Sequence, residues 1–168
     1  AWSNSGTIST SAGTLNLGGA FTTTGIGTLS RTGGTVNLTG ALDNTGGTLA
    51  LGSNTGSWNI TSGASITHGA VTSAGGAGFT VSSGIFDGVT LGANTSIADG
   101  STLTVRNGLT LSNAAVVTMS STGNTNHLTF EGTQTLGGTG QVVFGGTGGR
   151  GHLTAKGGGT VPTAAVLT

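Results

Sequence analysis

One short phrase recurs about every 22 residues, a period that limits what this chain can fold into. It reads Thr14-Leu15-Asn16-Leu17, then Thr35-Val36-Asn37-Leu38, then Ser57-Trp58-Asn59-Ile60. Looser versions follow at Phe79-Thr80-Val81, Leu103-Thr104-Val105 and Leu128-Thr129-Phe130. Each is an apolar-polar-apolar strand pattern with a glycine-rich turn nearby in the chain. A unit this small cannot bury its apolar face alone, so a regular repeat of it predicts a solenoid in which neighbouring coils stack. Period-2 alternation runs through the sequence, and no stretch has helical periodicity. The expectation is therefore an all-β chain: a right-handed parallel β-helix with coils of about 22 residues. It takes residues 1–168 as a single β-solenoid domain, either a piece of a longer repeat protein or a filament subunit. Short strands with frequent turn signals also describe a β-sandwich, the rival class, but a sandwich does not require the repeat.

The expected coils run 14–34, 35–56, 57–78, 79–100, 101–125 and 126–148. Side chains alternate across a strand, so Leu15 and Leu17, Val36 and Leu38, and Trp58 and Ile60 point inward. Phe21, Ile26 and Leu29 continue the inward series in the first coil, Leu42, Leu49 and Leu51 in the second, and Ile66 and Val71 in the third. The alternate positions Thr14, Asn16, Thr35, Asn37, Ser57 and Asn59 form an outward polar ladder, to which the later phrase adds Thr102 and Thr104. Rungs of such a ladder lie roughly 4.8 Å apart. The pairs Gly18-Gly19, Gly33-Gly34, Gly46-Gly47, Gly75-Gly76 and Gly137-Gly138, with Asp87-Gly88, Asp99-Gly100 and Asn107-Gly108, mark the corners. Residues 145–160 are so rich in glycine that they read as an irregular coil or a loop.

The composition agrees with stacked ladders. Only 5% of residues are charged, where globular chains carry about 25%. A like charge repeated one rung away would repel its neighbour, which disfavours Lys and Glu on a ladder. The 36 glycines come without collagen's triplet and with a single proline, which excludes a triple helix. Arg31, Arg106, Arg150 and Lys156 are scattered and the net charge is zero, so the electrostatic signature of a nucleic-acid binder is missing. No apolar run is long enough for a membrane-spanning helix, and no membrane insertion of this segment is expected. There are no cysteines to form disulfides.

No catalytic, cofactor or metal site is expected from these residues. Asp87 and Asp99 each precede glycine and read as turn residues, as does Asp43 before Asn44. Glu131 falls on the outward register. An enzyme would need carboxylates gathered across coils, for instance Asp87 with Asp99. His68, His127 and His152 lack metal-site spacing. Glycine-rich strings resembling nucleotide loops carry little information here and lack a following helix. Trp58 occupies an inward slot and reads as core, and Trp2 reads as a cap on the end of the stack. Ice-binding faces repeat Thr-x-Thr on each coil, but on the matched face only Thr102-Leu103-Thr104 keeps that form, with Asn16, Asn37 and Asn59 in the second position elsewhere.

The stretch Gly25-Ile26-Gly27-Thr28-Leu29-Ser30-Arg31-Thr32-Gly33-Gly34-Thr35-Val36-Asn37-Leu38-Thr39-Gly40-Ala41 resembles the autotransporter-associated β-strand repeat. A poorer match runs from Gly138 through Phe144 into Gly151-His152-Leu153-Thr154-Ala155-Lys156. In general style the chain is similar to passenger regions of bacterial autotransporters and filamentous-haemagglutinin-type exoproteins. The resemblance implies a β-solenoid on the bacterial surface or outside the cell, and implies no catalytic residues. The expected role is a non-catalytic structural or adhesive solenoid, with carbohydrate or ice binding and then polysaccharide degradation as alternatives. Host or environmental surface glycans are the implied partners. Ala1 to Thr10 contains no charged side chain, and Val161 to Thr168 offers one proline as a stop. Open strand edges at such ends predict head-to-tail self-association into fibres.

Overall fold

The computed structural model describes residues 1–61 and 63–157. They form a parallel β-solenoid of about 7 turns with a turn spacing of about 21 residues. Every strand pairing in it is parallel, and each coil lays one short strand on each of three faces.

On the first face the order is Thr14–Leu17, Thr35–Leu38, Trp58–Ile60, 79–81, 95–97, Val116–Ser120 and Gln141–Gly145. The second face stacks Ala20–Thr22, Ala41–Asp43, Ala64–Thr67, 84–87, 102–106, Asn126–Glu131 and Gly151–Lys156. The third face is interrupted. Among the described residues Thr7–Thr10 pairs only with Thr28–Arg31, and a separate stack begins at Thr48–Leu51. Where they part, the Arg31 side chain folds back to donate from Nε and Nη2 to the Gly34 carbonyl, at 3.0 and 2.6 Å.

The expected inward series is the core, except that Leu15 in the first coil is only half-buried and packs against its edge. Val36, Leu38, Leu42, Trp58, Ile60 and Ile66 are each 1% exposed or less. Stacking aligns like with like. One inward column runs Phe21, Leu42, Ile66, Phe86, Val105 and Phe130, and another runs Leu17, Leu38, Ile60, Val81, Ile97 and Met119. Each rung is dry because its two neighbours cover it, which is how such short strands sustain a core. Trp2 caps the column at its start: its ring stacks on Phe21 at 4.6 Å, and its Nε1 donates to the Gly18 carbonyl at 2.7 Å. Other glycine corners sit where expected, with positive φ at Gly19, Gly34, Gly46, Gly75, Gly76, Gly88, Gly100, Gly108 and Gly138.

After residue 79 the expected coil boundaries fail. Along the first face Thr14 pairs with Thr35, Val36 with Trp58 and Trp58 with Phe79, in steps of nearly equal length. Phe79 then pairs with Thr95, a markedly shorter step. The long step returns where Thr95 pairs with Val117 and Val117 with Val142. The short coil loses its residues at the corners. Val81 pairs with Ile97 and Ser83 with Thr102, so Ser82 alone turns where the next coil uses 98–101. Asp87 pairs with Arg106 and Val89 with Leu109, so Gly88 alone makes the next corner. Leu103-Thr104-Val105 and Leu128-Thr129-Phe130 consequently lie on the second face, and do not continue the first-face phrase. Residues 145–160 are also more regular than expected where they are described: Gly151–Lys156 is a strand in register with Asn126–Glu131. The stretch Val161 to Thr168, read as a weak stop, lies outside the described residues.

Candidate functional site

The outward surfaces are ladders, and their chemistry follows from register. On the first face Asn16, Asn37 and Asn59 share a column. Asn37 Nδ2 donates to Asn16 Oδ1 at 2.8 Å, and Asn59 Nδ2 donates to Asn37 Oδ1 at 3.0 Å. An amide carries both donor and acceptor, so identical residues one rung apart satisfy one another. Thr80, Ser96 and Thr118 continue the column. Thr14 and Thr35 pair beside it, and Ser57 Oγ accepts from the Gly78 amide at 3.1 Å. Thr14, Asn16, Thr35, Asn37, Ser57 and Asn59 of the expected ladder thus share this face.

Thr102 and Thr104 do not. They point outward from the second face, where Thr102 is flanked by Ser83 and His127, and Thr104 by Ile85 and Thr129. The Thr-x-Thr pattern therefore becomes Ser-x-Ile on one side and His-x-Thr on the other. An ice-binding face needs the pair repeated rung after rung, and here it is not.

The charges are ordered in a way the sequence hides. A single outward column on the second face reads Thr22, Asp43, Thr67, Asp87, Arg106, Glu131 and Lys156. Five of the chain's eight charged side chains sit there, and no two like charges are adjacent. Arg106 Nε donates to Glu131 Oε2 at 2.8 Å, with the two side chains 47% and 31% exposed. Exposed pairs of this kind contribute about 0.2–1 kcal/mol. The pair also favours the observed register, since a slip along the strand would set Arg106 beside Thr129 in place of Glu131. Glu131, expected on the outward register, is a member of this column.

Asp87 and Asp99 are not brought together. Asp87 accepts from Asn107 Nδ2 at 2.6 Å at the end of the second face. Asp99 lies at the corner before that face begins. Its Oδ1 accepts from the amides of Thr122, Gly123 and Asn124 at 2.7, 3.1 and 3.0 Å, and its Oδ2 from Asn124 Nδ2 at 2.7 Å. The carboxylate of one coil thus closes the turn of the next. Bonds from the Thr122 amide, the Asn124 amide and the Asn124 side chain hold the Asp99 carboxyl far below the usual carboxylate range. Asp43 is lowered too, first by the Thr45 hydroxyl and then by the Thr45 amide, which donates at 3.0 Å. Thr45 Oγ1 lies 3.3 Å from His68 Nδ1, and His68 holds a left-handed φ of 58° at its corner.

The Asp99 clamp has a pH signature. Its folded-state pKa is depressed, so its contribution is complete above the unfolded value of about 3.9 and fades as pH falls below it. In urea titrations, Asp99→Asn should be less stable than the parent at pH 7, and the gap should narrow from about pH 4 downward. A gap that stays constant to about pH 2 would mean that the carboxylate is not what closes the turn.

Buried amides tie other corners. Asn44 Oδ1 accepts from Thr23 Oγ1 at 2.6 Å while its Nδ2 donates to the Ala70 carbonyl at 2.8 Å, which links the coils on either side of its own. Asn126 Nδ2 donates to the carbonyls of Ile97 and Ala98 at 2.7 and 2.9 Å. Neither residue stands out in the sequence, although Asn44 directly follows a turn aspartate. Among the described residues no three metal-ligating side chains converge, and no helix is long and apolar enough to cross a membrane.

No protein family matches the chain, and no curated protein or solved structure shows significant similarity to it.

Proposed function

We propose that this chain is a non-catalytic structural or adhesive β-solenoid of a bacterial surface or secreted protein. The observation that carries this reading is the ladder chemistry of the first face. Asn16, Asn37 and Asn59 spend their hydrogen bonds on one another, as do Ser96 Oγ and Ser120 Oγ at 2.7 Å. Such a surface stiffens a rod and offers an adhesive face of low charge. The resemblance of residues 25–41 to autotransporter repeats supports an extracellular setting.

Head-to-tail self-association is part of the proposal. In the last described coil Gln141–Gly145 and Gly151–Lys156 leave Phe144 58% and Leu153 40% exposed. These residues occupy the inward columns of Met119 and Leu128, so another coil set on them would extend the core. At the other end, beside the Trp2 cap, Thr14–Leu17 pairs among the described residues only with Thr35–Leu38. A second copy stacked there makes a heterologous contact that need not close.

Sedimentation velocity across micromolar concentrations, with negative-stain imaging, tests the assembly. Phe144→Asp should abolish oligomers that the parent forms. A parent chain that stays monomeric throughout would overturn self-association. Turnover of a polysaccharide that is lost in Asp87→Asn or Asp99→Asn would overturn the non-catalytic reading.

A carbohydrate-binding face is the second reading. It is favoured by a shallow groove on the second face, where Ala20 and Ala41 make a small floor beside Asp43, Thr45, Thr67 and His68. Binding on a glycan array that disappears with Asp43→Ala would establish it.

A further inference from the structure

Two histidines a full coil apart in sequence become neighbours in the stack. His127 in Asn126–Glu131 pairs directly with His152 in Gly151–Lys156. Their ring centroids are 5.1 Å apart, and the rings meet edge to face at 77°. Both belong to the outward column that begins Ser83, Thr102; His127 is partly buried and His152 exposed. Among the described residues neither imidazole hydrogen-bonds to a protein group, so the ring nitrogens are free to act as ligands. The adjoining outward column holds only Thr104, Thr129 and Thr154 on these rungs, and Glu131 and Lys156 lie at the other end of the same strands.

We propose that His127 and His152 form an open, two-imidazole site for a divalent transition-metal ion. Imidazole nitrogen is a good ligand for copper, nickel and zinc, at about 2.0–2.1 Å for zinc. The stacked strands hold the two side chains one rung apart, within the span one ion can bridge after small ring rotations. Both rings are on the solvent side, where such rotations are fast. Two protein ligands leave the remaining coordination positions for water or for groups from a bound partner. With no geometric restriction beyond the pair, affinity should follow the general order for divalent ions, with copper(II) tightest.

The test is copper(II) titration of the parent chain by calorimetry, with electron paramagnetic resonance on the one-to-one complex. The expected result is a single site whose spectrum shows two nitrogen ligands. The second ligand acts at high effective concentration, so His127→Gln and His152→Gln should each weaken binding on the order of 100-fold. His68→Gln, on a distant rung of the same solenoid, should bind as the parent does. Far-UV circular dichroism checks that the variants retain the β fold. One nitrogen in the parent spectrum, parent-like affinity in either single variant, or an equal loss in His68→Gln would overturn the assignment. The spectrum alone decides the matter should a variant fail to fold.

Discussion

Phe86→Ala is expected to cost about 3–5 kcal/mol. The ring is fully buried between Ile66 on one rung and Val105 on the next, and it meets Phe79 at a centroid distance of 5.8 Å. A solenoid has no second layer to collapse into the hole, because each rung is covered only by its two neighbours. Total stability of a domain this size is about 5–15 kcal/mol, so the loss would take a large share of it. The measurement is guanidinium unfolding followed by circular dichroism. Thr80→Ala, exposed on the ladder of the same coil, should shift stability by no more than about 0.5 kcal/mol. Equal effects from the two substitutions would mean that the inward columns are not what holds the coils together.

The part of this fold that is legible in sequence is the part built from strands. Thr14-Leu15-Asn16-Leu17 and its next two copies alternate cleanly, and a parallel stack adds only the instruction to repeat them. The inward slots of Val36, Trp58 and Ile66 follow from period alone. Corner length is a different quantity. Ser82 alone makes a turn for which the next coil uses 98–101, and nothing in the apolar pattern signals the difference. Once a coil shortens, a phrase such as Leu103-Thr104-Val105 keeps its alternation but changes face. Thr102 and Thr104 therefore leave the ladder to which alternation alone assigns them.

The chemistry of the surface is hidden for a related reason. Asp87, Arg106, Glu131 and Lys156 look scattered along the chain, each about a coil's length from the next. The stack converts that spacing into adjacency, and the alternation of sign becomes visible only once register is known. His127 and His152 are joined in the same way. Asn44 and Asn126 are harder still, since an inward amide at a corner looks in sequence like any polar turn residue. Its role depends on carbonyls that belong to other coils.

Gly69 is the corner where this dependence should be most costly to disturb. Its φ is +63°, and a Cβ there would run into the Asn44 carbonyl and come within 2.6 Å of Asn44 Nδ2. Gly46 has nearly the same backbone, with φ +68°, but a Cβ would meet nothing within 4 Å. The two glycines therefore separate conformational strain from close approach. Gly46→Ala should cost only the left-handed penalty, about 1–2 kcal/mol. Gly69→Ala adds overpacking, and it displaces the buried amide that joins Thr23 to Ala70. Its total should reach about 4 kcal/mol, near that of losing a core ring. Chemical unfolding of both variants at pH 7 gives the comparison directly. If Gly69→Ala were no worse than Gly46→Ala, the corner would have room that the stacked coils deny it, and Asn44 could not be the tie described here.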